Sequence, residues 1–155
     1  MTASEGGAGP YHHVVVGTDG SATAKLAVNH AAQLAVLCSA RLTVVSAYTR
    51  QEGQPAELAP PGDDGWAATD AAGANDHVLA GQDLARSAGV VHGGARTEAG
   101  DPAAVLLDVA ESVGADVIVV GSRGMAAPSR FVLGSVPNRV SHHASCDVVI
   151  VRTGD

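Results

Sequence analysis

Two fully apolar stretches, each ending in a glycine, constrain the fold of this chain more than any other feature. The first is "VVVG" at 14–17 and the second is "VIVVG" at 117–121. A strand without polar alternation is covered on both faces, as in a parallel sheet between two layers of helices. A glycine at its end lets the backbone turn tightly or approach a ligand closely. We therefore expect two such strand ends, side by side, to form a site.

Strand-like and helix-like segments alternate along the rest of the chain. After the first strand, Ser21 is predicted to cap a helix, and "RLTVVSAY" forms the second strand. A helix-compatible segment runs from about Trp66 to Ser87, and "VVHGGARTEAG" carries a third strand. Asp101 and the proline after it open another helix. The last two strands are "DVIVV" and "DVVIV", separated by a short helix that begins near Ser135.

This alternation predicts an α/β fold with a single doubly wound, five-stranded parallel sheet and helices on both faces. Ligands of such sheets bind at the carboxyl ends of the strands, where the winding direction reverses. If the first and fourth strands are neighbours, both glycine turns line one crevice. The crevice is therefore the expected ligand site.

Length and composition indicate one domain. We expect residues 1–10 to form a flexible tail and residues 11–155 to form the folded domain, with the Pro/Gly/Asp-rich segment 50–66 as a mobile loop. The first ten residues lack the features of a secretory signal, and no apolar run approaches the roughly 20 residues of a membrane span. We therefore expect a cytoplasmic protein with no membrane partner.

Charge and potential metal ligands narrow the function further. The formal net charge is -7, and no basic cluster is present, which argues against nucleic acid as a partner. Cys38 and Cys146 are interpreted as buried or half-buried free thiols. The histidine pairs at 12–13 and 142–143 are interpreted as surface or capping residues rather than metal ligands, because adjacent side chains point apart.

The region after the fourth strand has the spacing of a phosphate site. Gly121, Gly124 and Gly134 are separated by two and by nine residues, and Ser135 follows directly. Free backbone N–H groups in a glycine loop, followed by a helix N-terminus, bind anions. A dinucleotide fingerprint is absent after the first strand, and a Walker P-loop is excluded because the only lysine is Lys25.

These segments resemble the universal stress protein family. "VVVGTDGSATAKLAVNHAAQLA" is similar to the family's first strand, acidic turn and helix, and "VGSRGMAAPSRFVLGSVPNRVSHHASCDVVIV" is similar to its nucleotide motif, last helix and last strand. The resemblance covers about residues 12–152. It implies the strand order 3-2-1-4-5 of an adenine nucleotide alpha hydrolase-like fold. It also implies binding of ATP or, as in some members, of cyclic AMP, with Mg as a companion of ATP.

Carried over residue by residue, the resemblance implies a role for each part of the site. Asp19 would lie beside the ribose, the backbone of Ala47 would contact adenine, and the glycine motif would hold ribose and phosphates. Arg123 and Arg130 are candidates for phosphate oxygens. From the residues alone, Asp19 is also explained by an Asx turn, and Ser135 is expected to be both a helix N-cap and a ligand. The complete predicted nucleotide site is Gly17, Thr18, Asp19, Ala47, Val120, Gly121, Arg123, Gly124, Gly134, Ser135 and Val136.

The sequence supports three function classes to different degrees. A regulatory or stress-response module that binds an adenine nucleotide is favoured, and an ATP-utilising enzyme, either a slow ATPase or a nucleotidyl transferase, is the alternative. No nucleophile elbow or Cys/His pattern supports the enzyme. A phospho-receiver domain is disfavoured, because Arg152 stands where it needs a lysine and Asp101 starts a helix where it needs an acceptor. We further expect a homodimer through the last strand, Asp147 to Arg152.

Overall fold

The computed structural model describes residues 9–49, 70–122 and 133–153, and in them strands and helices alternate. The elements are β1 (His13–Gly17), α1 (Ala22–Cys38), β2 (Arg41–Tyr48), α2 (Ala71–Ala88), β3 (Gly93–Ala99), α3 (Pro102–Val113), β4 (Val117–Gly121), α4 (Ser135–His143) and β5 (Asp147–Val151). This order confirms the predicted alternation. Within the described residues, no helix combines the length and apolar composition that a bilayer crossing requires.

All five strands form one parallel sheet in the order β3-β2-β1-β4-β5. The central strand β1 pairs with β2 on one side and with β4 on the other. Both the predicted fold class and the predicted strand order are confirmed. The two apolar strands that end in glycine are therefore neighbours at the centre of the sheet.

The sheet has a hydrophobic core on each face, which explains why its central strands carry no polar alternation. Val14 and Val16 contribute to the core beneath α1 and α2. Val15 and Ile118 contribute to the core beneath α3 and α4. Successive strand residues point to opposite faces, and both faces of β1 are buried, so every position between 14 and 16 is apolar.

Polar side chains fix the starts of three helices. Ser21 Oγ accepts the Ala24 N–H at 3.1 Å at the start of α1, as predicted. Asp101 does the same for the Ala104 N–H at 3.0 Å at the start of α3, also as predicted. Asp70 caps α2, so this helix begins at 71; the predicted part from 66 to 69 lies outside the described residues, as does the expected mobile loop at 50–66.

The two cysteines are free thiols, as predicted. Cys38 is buried at the end of α1, and Cys146 is half-buried just before β5. Burial, together with the neighbouring carboxylates of Asp147 and Asp116, raises the pKa of the Cys146 thiol. A raised pKa disfavours the nucleophilic thiolate, so Cys146 has the character of an inert structural residue.

An ion pair joins the two helices on one face of the sheet. Arg139 Nη1 of α4 lies 2.8 Å from Asp101 Oδ2, the cap of α3. Burial acts to raise the pKa of Asp101, but the hydrogen bonds from Arg139 and from the Ala104 N–H outweigh it and hold the pKa below its ordinary value. A carboxylate with a lowered pKa in the folded state stabilises the fold above its ordinary pKa of about 4, and this stabilisation is lost as the pH falls through the folded-state pKa.

We expect Asp101→Asn to lower the free energy of unfolding near pH 7. Asparagine still caps the helix, so the loss isolates the charge, and it should be on the order of 0.2–1 kcal/mol because both side chains are about half exposed. The difference from wild type should shrink below about pH 4. Urea unfolding between pH 2.5 and 7 measures it, with Asp108→Asn on the same helix as the charge control. A difference that stays constant over this range would contradict the assignment.

Candidate functional site

The winding of the sheet reverses between β1 and β4. Val16 pairs with Val119, so Gly17 and Val120 follow at the same level at the carboxyl edge. From there β1 leads to α1 on one face of the sheet, and β4 leads toward α4 on the other face. Diverging connections leave a crevice between them, where open α/β sheets bind ligands. The two strands that end in glycine, β1 and β4, are therefore neighbours, as predicted.

The turn after β1 is tied to the neighbouring strand. The Thr18 N–H donates to the Val45 carbonyl at 2.9 Å, and Thr18 Oγ1 accepts the Gly20 N–H at 3.1 Å. Thr18 is buried. Gly20 has a φ of +81°, a backbone conformation that residues other than glycine rarely adopt. These hydrogen bonds therefore hold the turn in one conformation without a ligand.

Asp19 lies half-buried in this turn and has a local structural role. Its Oδ1 accepts the Ser21 N–H at 3.0 Å, which is the Asx turn considered from the sequence. In the described part of the chain, its Oδ2 has no hydrogen-bond partner. The structural explanation of Asp19 is thus correct, and one carboxylate oxygen is left to accept from a ligand.

Packing favours both glycines of the first turn, and backbone conformation favours Gly20 as well. A Cβ on Gly17 would lie 2.9 Å from Leu106 Cδ1, so glycine lets α3 pack closely on β1. A Cβ on Gly20 would collide with the His77 ring of α2. Sequence reasoning missed His77, because a histidine on a helix carries no local signal of a contact with a turn more than fifty residues away.

Ala47 occupies the predicted position at the end of β2. It is the residue before the last one of the strand, and its side chain is 7% exposed and packs in the core beneath α3. The buried methyl group leaves the backbone as the part of Ala47 that a ligand could contact. The next residue, Tyr48, accepts the Gly100 N–H at 2.8 Å, which ties the ends of β2 and β3 together.

The start of α4 differs from the sequence-based expectation. The N-cap is Gly134, with φ -63° and ψ 164°, and no side chain caps the helix. The prediction that Ser135 is the N-cap is wrong, because the extended residue that precedes the helix is Gly134 and Ser135 is already helical. Pro137 fits the first turn as predicted, since an N–H there would have no partner within the helix.

The missing cap leaves backbone donors at this helix end. Within the described residues, the Ser135 and Val136 N–H groups have no hydrogen-bond acceptor, whereas the Asn138 N–H donates to the Gly134 carbonyl at 3.1 Å. Unpaired N–H groups and the positive end of the helix dipole favour an anion. The start of α4 therefore has the backbone donors for anion binding that the glycine motif predicts.

Part of the predicted site falls outside the described residues. Arg123, Gly124 and Arg130 belong to the segment 123–132. The other predicted positions lie at the carboxyl ends of β1, β2 and β4 or in the first turn of α4: Gly17, Thr18, Asp19, Ala47, Val120, Gly121, Gly134, Ser135 and Val136.

Comparisons with known proteins agree with this geometry. The model of the Universal stress protein family matches residues 10–152. The universal stress protein Rv1636 of Mycobacterium tuberculosis is 36% identical over 143 residues, which are 92% of this chain and 97% of that protein.

Two solved structures show the same likeness. The crystal structure of a universal stress protein in complex with cAMP has a TM-score of 0.71 at 32% identity, and the match covers 94% of this chain and 100% of that one. The universal stress protein UspA from Lactobacillus plantarum has a TM-score of 0.74 at 25% identity, with the same coverage of 94% and 100%.

Proposed function

Because this chain belongs to the universal stress protein family, we propose that it binds an adenine nucleotide in the crevice between the ends of β1 and β4. The ligand is ATP or cyclic AMP, and Mg accompanies ATP. The protein acts as a regulatory or stress-response module whose conformation or choice of partner depends on the bound nucleotide.

The uncapped start of α4 carries this proposal. Side chains cap α1, α2 and α3, but α4 begins at Gly134 with the Ser135 and Val136 N–H groups unpaired within the described residues. A phosphate would accept from these groups and would interact favourably with the helix dipole. The cAMP complex of a universal stress protein 32% identical to this chain supports a phosphate-bearing adenine ligand in particular.

The turn after β1 supplies the part of the site that fits a ribose. Asp19 Oδ2 has no partner among the described residues, and a carboxylate oxygen accepts hydrogen bonds from ribose hydroxyls. Gly17, Thr18 and Val120 line the crevice at this level, and the backbone of Ala47 contacts the base. Arg123 and Gly124 are assigned to the phosphates from the sequence alone.

The exposed edge of β5 favours self-association. In the described part of the chain, β5 pairs only with β4, and its apolar residues 148–151 are only half-buried. An unpaired apolar edge is a liability unless another strand covers it. We therefore propose an antiparallel homodimer through Asp147 to Arg152, although Arg152 lies one residue beyond the end of β5.

The start of α4 is tested by Gly134→Asp with Gly134→Asn as its matched control. Both side chains suit a helix N-cap and have nearly the same shape, so they differ mainly in charge. A carboxylate about 4 Å from a phosphate costs about 1 kcal/mol in water and about 4 kcal/mol at a protein surface. We expect the Asp variant to bind ATP, AMP and cyclic AMP at least about fivefold more weakly than the Asn variant, as measured by calorimetry. Equal affinities of the two folded variants would refute the site.

Asp19 is tested by comparing nucleotides. ATP and AMP offer free 2′ and 3′ hydroxyls, whereas the 3′ oxygen of cyclic AMP is esterified and cannot donate. Asp19→Ala should therefore weaken the binding of ATP and of AMP to a similar extent, by roughly 10- to 150-fold for a lost charge-assisted hydrogen bond, and should weaken the binding of cyclic AMP less. Asp19→Asn, which keeps the acceptor for the Ser21 N–H, separates the ribose contact from loss of the turn. A loss for cyclic AMP as large as that for ATP would count against the ribose contact.

The homodimer is tested by light scattering at tens of micromolar protein. Wild type should have the mass of a dimer. Val149→Lys places a charge on the proposed interface strand and should shift the mass toward a monomer, because two such strands would bring the lysines together. Thr97→Lys places the same charge on β3, the opposite edge of the sheet, and should leave the dimer intact. A monomeric wild type would rule the dimer out.

A further inference from the structure

Ser122, the residue after β4, joins three parts of the chain. Its N–H donates to the Val151 carbonyl of β5 at 2.7 Å, and its carbonyl accepts the Gly134 N–H at 2.9 Å. Its hydroxyl oxygen accepts the Thr153 N–H at 3.1 Å. One residue thus links the end of β4, the end of β5 and the start of α4.

Thr153 is packed against the same strand end. It is buried, its Oγ1 lies 3.4 Å from Ser122 Oγ, and a Cβ on Gly121 would lie 2.9 Å from its Cγ2 methyl group. Gly121 is therefore a glycine partly because Thr153 occupies the space beside it. The hydroxyl of Ser122 is thus held on one side by a buried residue.

The length of the connecting segment does not by itself fix the distance between the end of β4 and the start of α4. Twelve residue steps separate Ser122 from Gly134, and an extended chain of that length spans up to about 40 Å. Packing of Val136 and Val140, and the Asp101–Arg139 ion pair, hold α4 in the core on α3's side of the sheet. Among the described residues, the hydrogen bond from Gly134 to Ser122 ties the first turn of α4 directly to the end of β4.

We propose that Ser122 is a positioning residue for the nucleotide site. Its hydroxyl, held by the Thr153 N–H, orients the Ser122 carbonyl, and this carbonyl holds Gly134 at the start of α4. The Ser135 and Val136 N–H groups are thereby set in place before phosphate arrives, which lowers the cost of ordering them on binding. This inference rests on the proposed nucleotide binding.

The test compares Ser122→Ala with Ser141→Ala. Ser141 lies on α4, and its hydroxyl donates to the Asn138 carbonyl at 2.9 Å, so the control also removes one hydroxyl hydrogen bond from the same region. Two quantities are measured: hydrogen exchange of the Gly134 amide in nucleotide-free protein, and the affinity for ATP, AMP and cyclic AMP. Ser122→Thr, which keeps the acceptor oxygen, is the rescue variant.

We expect Ser122→Ala to speed exchange of the Gly134 amide and to weaken nucleotide binding about five- to tenfold, as expected for the loss of one hydrogen bond. Ser141→Ala should change neither quantity, and Ser122→Thr should restore both. Circular dichroism confirms that each variant is folded.

The outcomes separate this inference from the proposed function. If wild type binds none of the three nucleotides, the proposed function fails, while the exchange comparison still tests whether Ser122 holds Gly134. If wild type binds and Ser122→Ala matches it in both quantities, the inference is wrong. If affinity falls without faster Gly134 exchange, Ser122 contacts the ligand itself and the positioning role is refuted.

Discussion

The pairing of β1 with β4 is the contact on which the rest of the structure depends. It reverses the winding of the sheet, sends the two following connections to opposite faces and so opens the crevice. It also places both strands at the centre of the sheet, where each face is buried beneath helices. The apolar sequence of these strands and the position of the candidate site therefore have one cause, which is the central place of β1 and β4 in the sheet.

The glycines at the strand ends connect packing with chemistry. Gly17 leaves room for Leu106, and Gly121 leaves room for Thr153. A side chain at either position would have to displace a packed neighbour, so the packing favours each glycine even without a ligand. The same absence of side chains lets a ligand approach the backbone closely at the crevice. A glycine at such a strand end is therefore compatible with nucleotide binding but does not by itself demonstrate it.

Sequence reasoning predicted what local patterns encode and missed what tertiary contacts decide. Strand order, the caps at Ser21 and Asp101 and the neighbouring strand ends follow from periodicity, capping chemistry and family resemblance. The N-cap of α4 was misplaced by one residue, because serine is the usual cap and glycine a weaker one. Ser122 and His77 had no signal in the sequence, since their partners lie 12 or more positions away in the chain and are reached only through the tertiary fold.

The weak cap of α4 has an energetic consequence that bears on function. A glycine N-cap is weaker than a Ser, Thr, Asn or Asp cap by about a few tenths of a kcal/mol, and α4 has only nine residues over which to recover that loss. Packing of Val136 and Val140 and the Asp101–Arg139 ion pair stabilise the helix through its side chains, without pairing the N–H groups of its first turn. The first turn thus keeps its donors unpaired at a cost to stability, and an anion bound there would return that stabilisation to the fold. Anion binding at this turn would therefore be thermodynamically linked to the stability of α4.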